Sequence, residues 1–367
     1  MKFTIEQRKL IKPLQQVCGV AGSSRTKLSI LSNLLLKVED SKMSITCTDL
    51  EAELTASLTL SGEVEPGSVT IPARKLFSIC RSLPGDSGIL FSLEMGRLRI
   101  YSDRSYFSLS VLPPGEFPSI ENWQKDVSFS LPQGRLRALI EATQFSMANQ
   151  DVRHFLNGMF FEIDDSVLKA VATDGHRMAV GQTRIISSTA KKKIIVPRKS
   201  IQELARLLCQ PEEKVRLEIG SSNIRVRVGH FVFTSRLIDG RFPDYRQLLP
   251  ENTSKTLISG CDVMRQALTR VSILSREKFG GVRLTIGGQE MCIAAKNPEQ
   301  EIAEETLDIE YEGEKIEIGF NARYILDILH VLRCETVKIA MSNPHEKALI
   351  KGIDGDNTIY VIMPVRL

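Results

Sequence analysis

The chain repeats itself at an interval close to 125 residues, and this interval constrains the fold more than any other feature of the sequence. The segments "VTIPARKLFSICRSL" (69–83) and "IIVPRKSIQELARLL" (194–208) each run a short β-branched stretch into a proline. Apolar residues follow four, seven and eleven positions after the proline: Leu76, Ile79 and Leu83 in one copy, Ile201, Leu204 and Leu208 in the other. That spacing predicts a helix entered from a strand, with Pro72 and Pro197 at the boundary, where a missing N–H does least harm. A third copy, "IEIGFNARYILDILHVL" (316–332), has Asn321 as the expected cap and Ile325, Ile328 and Leu332 on one face. Other pairs keep the interval. Phe117 and Phe242, "LSNLLL" and "LNGMFF", and "TDLE" (48–51) and "TDGH" (173–176) all lie 125 apart, with a looser third relative in "AAKNPEQE" (294–301). Each copy opens with a strand and an amphipathic helix: "FTIEQRKLIKPLQQV", "FSLPQGRLRALIEAT" and "LISGCDVMRQALTRV".

A chain of 367 residues exceeds the size at which one core stops growing, about 250–300 residues. The repeat therefore predicts three domains, 1–125, 126–253 and 254–367, with linkers near 122–128 and 250–255. Two helices and many alternating strands per repeat predict an α+β class, with helices packed on antiparallel sheets. Apolar residues make up 42% and charged residues 25%, as in ordinary globular chains, and no apolar run approaches the ~20 residues of a membrane span. The N-terminus is amphipathic, without the apolar stretch of a signal peptide, and a cytoplasmic location is expected. Cys18, Cys47, Cys80, Cys209, Cys261, Cys292 and Cys334 include no two within four residues of each other, so reduced thiols are expected and no metal-binding spacing is present.

Charge is distributed unevenly. The net charge is +4, yet the predicted helices 6–20, 73–83, 133–147, 198–209, 262–276 and 321–333 hold sixteen basic and five acidic residues, leaving the rest of the chain acidic. Basic helices on an acidic body are the electrostatic footprint of a nucleic-acid binder. No helix-turn-helix cue, zinc-finger spacing or RNA-binding aromatic motif accompanies them, which favours phosphate contact without sequence preference.

The segment "ATDGHRMAV" (172–180) has the look of an active site, with Asp174, His176 and Arg177 in one turn. Chemistry would need a nucleophile, metal or cofactor nearby, and no Gly-rich phosphate loop, H-E-x-x-H or G-x-S-x-G occurs. The first repeat has "TDLE" at the same place, so Thr–Asp reads as a structural turn with the Asp capping backbone N–H groups. No catalytic residue, metal or cofactor is expected, and only the residues after the aspartate are special to the second repeat. The competing reading is a DNA-dependent enzyme built from duplicated domains.

The blocks "KFTIEQRKLIKPLQQV", "LLLKVEDSKMSITCTDLE", "EATQFSMANQDVRHFLNGM", "VATDGHRMAV", "DGRFPDYRQLLP", "NPEQE" and "YVIMPVRL" resemble, in order and across essentially the whole chain, the bacterial DNA polymerase III β subunits, the sliding clamps. The resemblance implies three DNA-clamp domains per chain and a head-to-tail homodimer. Six domains would form a ring on double-stranded DNA, a processivity factor that tethers the replicative polymerase without catalysing anything. It implies a cleft for Gln-Leu-x-Leu-Phe-like peptides of the polymerase III α subunit, the clamp loader, other DNA polymerases and repair proteins. By position the cleft would comprise Leu156, Thr173, Gly175, His176, Arg177, Met178, Pro243 and Leu248 with Asn321, Tyr324, Val361, Met363, Pro364 and Arg366. Pro243 and Met363 would be its walls, and Arg177 and Arg366 a polar rim. Gln247 stands where some members carry a second arginine. DNA contacts are expected from Arg74, Lys75, Arg198 and Lys199 at helix starts. Further contacts are expected from Arg25 and from Gln150, Arg153, His154 and Phe155 in loops, where the family often has Tyr–Tyr in place of His154–Phe155. The dimer contact is expected from Lys75, Arg104, Phe107 and Leu109 in the first domain. These would meet Ile273 and Leu274, read as the end of a helix, and the acidic run Glu299, Glu301, Glu304 and Glu305 of the third.

Overall fold

The computed structural model describes residues 1–22, 29–120, 123–186, 191–250, 253–275, 280–353 and 358–366. Arg25 lies outside them. The first repeat runs β1 (Lys2–Glu6), α1 (Gln7–Cys18), β2 (Asn33–Glu39), β3 (Lys42–Thr48), β4 (Ala52–Thr59), β5 (Gly67–Pro72), α2 (Ala73–Ser82), β6 (Gly88–Glu94), β7 (Arg97–Ser102) and β8 (Ser105–Ser110). The second runs β9 (Lys125–Pro132), α3 (Gln133–Thr143), β10 (Gly158–Asp164), β11 (Val167–Thr173), β12 (Arg177–Arg184), β13 (Lys192–Pro197), α4 (Arg198–Leu207), β14 (Lys214–Gly220), β15 (Asn223–Val228) and β16 (Phe231–Arg236). The third runs β17 (Lys255–Gly260), α5 (Cys261–Val271), β18 (Gly281–Gly287), β19 (Glu290–Lys296), β20 (Ile302–Asp308), β21 (Glu310–Glu312), β22 (Ile316–Asn321), α6 (Ala322–Val331), β23 (Thr336–Met341), β24 (Ala348–Gly352) and β25 (Ile359–Ile362). The chain is α+β, and strand–helix–meander, twice over, is the unit of every repeat.

The boundaries follow from local chemistry. Pro72 and Pro197 end strands β5 and β13, and a helix starts at the next residue in each case. Asn321 caps α6, its side chain accepting from the N–H of Arg323. One expectation differs. Helix α5 stops at Val271, and Ile273 and Leu274 follow in turns closed by bonds from Ile273 N to Arg270 O and from Leu274 N to Val271 O. Each helix buries one apolar stripe, as with Leu10, Leu14 and Val17 in α1 and Ile325, Ile328 and Leu329 in α6. Within the described residues the helices still hold fourteen basic against four acidic residues.

Among the described residues the strands form four antiparallel sheets, and two of these join neighbouring repeats. One has the order β5-β2-β3-β4-β16-β15-β14-β9, the other β13-β10-β11-β12-β25-β24-β23-β17-β21. The joints are equivalent. The third strand of a first meander (β4, β12) pairs with the last strand of the next repeat's second meander (β16, β25), with Glu53 opposite Thr234 in one and Met178 opposite Val361 in the other. The chain accordingly packs into two compact units that cut the second repeat in half: Met1–Gly134, Ile186–Ser188 and Lys199–Leu237 in one, Arg135–Ile185, Thr189–Arg198 and Ile238–Leu367 in the other. The remaining sheets, β1-β6-β7-β8 and β20-β19-β18-β22, end on the counterparts of the joined strands, β8 and β20.

Phe233, buried in β16 opposite Leu54 of β4, sits at the first joint. Phe233→Ala is expected to remove about 3–5 kcal/mol, read as a lower urea midpoint of the first unfolding transition. An unchanged midpoint would show that the joint does not depend on this packing.

Candidate functional site

The turn at Asp174 is a hydrogen-bonded device that the chain uses twice. Asp174 Oδ1 accepts from the backbone N–H of His176 (2.9 Å) and Arg177 (3.0 Å), while Thr173 Oγ1 donates to Arg177 O (2.7 Å) and accepts from Gly175 N (3.1 Å). In the first repeat, Asp49 Oδ1 accepts from Glu51 N (3.1 Å) and Ala52 N (2.8 Å), and Thr48 Oγ1 bonds Ala52 O (2.8 Å) and Leu50 N (3.1 Å). Asn297 Oδ1 accepts from Glu301 N in the third. The expected capping role of the aspartate is what the structure shows. Both aspartates then give their second oxygen to a cation, Asp174 to Arg177 Nε at 3.0 Å and Asp49 to Lys199.

The two turns diverge at the next residue. Leu50 takes φ +77° and Gly175 φ +90°, a backbone region that penalises side chains, so the first repeat tolerates strain where the second has none. At Gly175 a Cβ would sit 2.9 Å from the Arg153 guanidinium, so the glycine leaves room for Arg153. Arg153 in turn is held by Asp151 (Nε–Oδ1 3.0 Å, Nη2–Oδ2 2.9 Å), and these bonds pull the Asp151 carboxyl down to about 2.

Arg177 is not an open rim residue. Its Nε bonds Asp174, Nη1 bonds Asp327 Oδ2 on α6 (2.5 Å) and Nη2 bonds Phe145 O (2.9 Å), and its side chain is 11% exposed. The guanidinium lies over the Tyr324 ring (4.5 Å to the centroid) and the Phe145 ring (5.2 Å). It straps strand β12 to helix α6. Asp327 and Phe145 escaped the sequence reading. The available signal was Asp327 three residues after Tyr324, as the one acidic residue of α6.

The remaining cleft residues divide into a floor and a wall. Leu156, Met178 and Val361 are buried in one apolar cluster with Phe160, Phe242 and Tyr245, and Leu248 packs on it half-buried. His176, Asn321, Tyr324, Met363, Pro364 and Arg366 line a concavity of about 1350 Å³. That concavity continues past Leu274 and Gln300 and past Arg283 and Ile302, which no motif marked. Thr173 is buried in its turn, and Pro243 is exposed. The tail is tied down by Met363 N to His176 O (2.9 Å) and Val365 N to Gly319 O (2.9 Å).

Of the residues expected to meet DNA, Arg74 and Lys75 are exposed at the start of α2 and have no ion-pair partner among the described residues. Arg198 differs from expectation. It is half-buried and donates to Met147 O (2.6 Å), and burial pushes its guanidinium below the usual arginine range. Lys199 is engaged with Asp49. His154 and Phe155 stand in a short 3-10 turn, and Gln150 takes φ +59° in the loop before it.

At the expected dimer surfaces, Tyr106 in β8 (54% exposed), Ile302 in β20 (58%) and Ile273 after α5 (58%) present bare apolar area. Ile273 is therefore no core residue of its domain, while Leu274 is half-buried. Phe107 and Leu109, half-buried, face Ile100 and Leu98 across β7. Arg104, Glu299, Glu301 and Glu304 are exposed, but Glu305 is bonded to Arg270 of its own repeat. Among the described residues no cluster of three His, Cys, Asp or Glu could hold a metal, and no helix is long and apolar enough to cross a membrane.

Comparison with known proteins agrees with this architecture. Residues 1–121, 130–244 and 246–366 match the N-terminal, central and C-terminal domains of the DNA polymerase III beta subunit. The beta sliding clamp of Vibrio cholerae is 58% identical over 367 residues and that of Escherichia coli 51%, each over the full length of both chains. The crystal structure of the Pseudomonas aeruginosa DNA polymerase III subunit beta, 45% identical, superimposes with a TM-score of 0.97 over 100% of both chains. A sliding clamp of the same organism bound to griselimycin has the same TM-score, 0.97. Three repeats, their shared sheets and these full-length matches make the chain a member of the DNA polymerase III beta subunit family, the beta sliding clamps.

Proposed function

We propose that the protein is a processivity clamp. Two copies close head-to-tail into a ring around duplex DNA and hold the replicative polymerase on its template, without catalysis of their own, in the cytoplasm. The observation that carries this reading is the pair of unmatched edges. Strands β4 and β12 are each joined to the last strand of the following repeat, whereas β20, their third counterpart, and β8, the counterpart of β16 and β25, have no outer neighbour among the described residues. Bare edges are a liability unless paired. A second copy would satisfy both edges at once by placing its β8 on β20, and two such contacts close a ring that leaves neither β8 nor β20 bare. Tyr106, Ile302 and Ile273 supply apolar area there. Ion pairs near solvent would orient the contact and add little.

Such a ring retains DNA by topology, so its DNA contacts need only be weak, salt-sensitive and blind to sequence, as basic helices without base-reading motifs provide. The concavity bordered by His176, Tyr324, Met363 and Arg366, over the floor of Leu156, Met178 and Val361, suits short apolar peptides of the Gln-Leu-x-Leu-Phe kind. Polymerases, the clamp loader and repair proteins would exchange there. Two or three buried apolar side chains at roughly 1.5–3 kcal/mol each, less ordering costs, give affinities near micromolar.

The hairpin registers carry the joint over to the closing contact. Ile302 stands in β20 where Glu53 and Met178 stand in β4 and β12, and Ser108 stands in β8 where Thr234 stands in β16. Ile302 is therefore predicted opposite Ser108 and Glu304 opposite Tyr106, by analogy with Glu53–Thr234 and Met178–Val361. A Ser108→Cys, Ile302→Cys chain is expected to oxidise to covalent dimers that stay closed on circular DNA and release it once the DNA is cut. Dimers that cross-link only at another register would overturn the pairing. At the cleft, Met363→Ala and His176→Ala are expected to weaken a labelled Gln-Leu-x-Leu-Phe peptide, Met363→Ala by about tenfold, which is ~1.4 kcal/mol, with unfolding unchanged. Equal affinity in both variants would remove the peptide assignment. On DNA, Arg74→Gln with Lys75→Gln is expected to lower affinity alike on all sequences and to flatten the salt slope by about one unit per lost contact. Arg198→Gln is expected to leave the slope unchanged. Loss confined to one DNA sequence would contradict the clamp reading.

A further inference from the structure

The third repeat carries a thiol pair at a joint that the other repeats close with glutamine. In every repeat the first residue of the opening helix donates its backbone N–H to a carbonyl shortly before the second meander: Gln7 to Ser87 (3.0 Å), Gln133 to Glu213 (2.8 Å) and Cys261 to Glu335 (2.8 Å). In the first two repeats the side chain of that residue also bonds the backbone of the second helix's last turn or of the segment just after it. Gln7 Nε2 donates to Cys80 O at 3.0 Å, and Gln133 Oε1 accepts from Gln210 N at 3.0 Å. In the third repeat the residue is Cys261, and its Sγ lies 3.4 Å from Cys334 Sγ across 73 residues of chain. The ladder pairing Gly260 with Thr336 holds the two segments side by side. Gly352 backs the pair closely enough that a Cβ there would sit 2.8 Å from Cys334 Sγ.

We propose that Cys261 and Cys334 form a redox modification site, which hydrogen peroxide closes into a disulfide. Cys334 is half-buried and Cys261 buried, so peroxide reaches Cys334 first. Burial also pushes the Cys261 thiol up to about 12, which disfavours its thiolate as the first attacker. The Cys334 thiolate attacks one peroxide oxygen. The O–O bond breaks, hydroxide leaves and takes up a proton as water, and Cys334 becomes a sulfenic acid. Cys261 then loses its proton and attacks the sulfenyl sulfur, the S–O bond breaks, and a second water leaves. Two thiols and one peroxide become one disulfide and two waters, with two electrons passing from sulfur to oxygen. A disulfide S–S bond is about 2.05 Å, so the sulfurs approach by roughly 1.3 Å, within reach of side-chain rotation. The bond replaces a weak thiol contact with a covalent tie between the start of α5 and the segment that follows α6, the helix that carries Tyr324 and is capped by Asn321.

The test treats the full-length protein in its native assembly with a small excess of hydrogen peroxide. Free thiols are then blocked with N-ethylmaleimide, and the protein is digested without reductant and weighed. The expected product joins the Cys261 and Cys334 peptides, lighter than their sum by two hydrogens, about 2 Da, and comes apart with dithiothreitol. Cys209, exposed and bonded to Arg206 O, serves as the internal gauge of oxidant dose. In Cys261→Ser the Cys334 sulfenic acid is expected to persist and be captured by dimedone. Maleimide on both cysteines at doses that have already oxidised Cys209 would overturn the proposal. So would wild-type Cys334 advancing to sulfinic acid beside a free Cys261, or a disulfide that forms only in urea.

Discussion

The joining of repeats through shared sheets is the constraint on which the rest of the structure depends. A strand edge in water offers unpaired N–H and C=O groups to any partner, and this chain meets that demand with its own next repeat, β4 on β16 and β12 on β25. The joints divide the second repeat between the two packing units. They also concentrate the useful geometry. Where β12 meets β25, the Asp174 turn, the tail at Met363 and helix α6 come to one place, strapped by Arg177.

The equivalent place in the first unit shows why repetition did not produce two matching clefts. Asp49 caps its turn as Asp174 does, and Lys199 stands in for an arginine on the second carboxylate oxygen. But Leu50 occupies the position of Gly175, and Ala52 the position of Arg177, so that turn lacks both the open backbone and the cation that grips an adjacent helix. The same backbone device closes a turn with Leu50 in one repeat and with Gly175, beside Arg153, in the next. The Asp174–Arg177–Asp327 system is largely withdrawn from water, where a paired guanidinium costs little but an orphaned carboxylate costs much.

Much of the fold was legible without coordinates because it rests on short-range chemistry. Pro72 and Pro197 at two strand-to-helix boundaries, the Asn321 cap and the Thr–Asp turn are each set by neighbours within a few residues, and each appears in the structure as read. The end of α5 was misread because Ile273 and Leu274 continue the apolar run of the helix in sequence, whereas the helix stops at Val271 and Ile273 is exposed in the turn that follows. Arg177 was read as a rim cation from the family resemblance, by its position after the turn. Its partners, Asp327 and Phe145, lie 150 and 32 residues away and leave no mark on local pattern.

The sequence by itself determined three α+β repeats, the polarity of their helices and the capped turns, since periodicity, proline and side-chain caps act on the residues beside them. Only the tertiary structure decided which cations are free and which are spent. Arg74 and Lys75 stand exposed while Arg198 turns to the carbonyl of Met147, Lys199 to Asp49 and Arg177 to Asp327. The same holds for the thiols, of which Cys261 and Cys334, 73 residues apart in sequence, are brought within contact by the pairing of β17 with β23. The reason is physical: a side chain's partners are chosen by which strands and helices pack together, and long-range packing is not encoded in any one stretch of the chain.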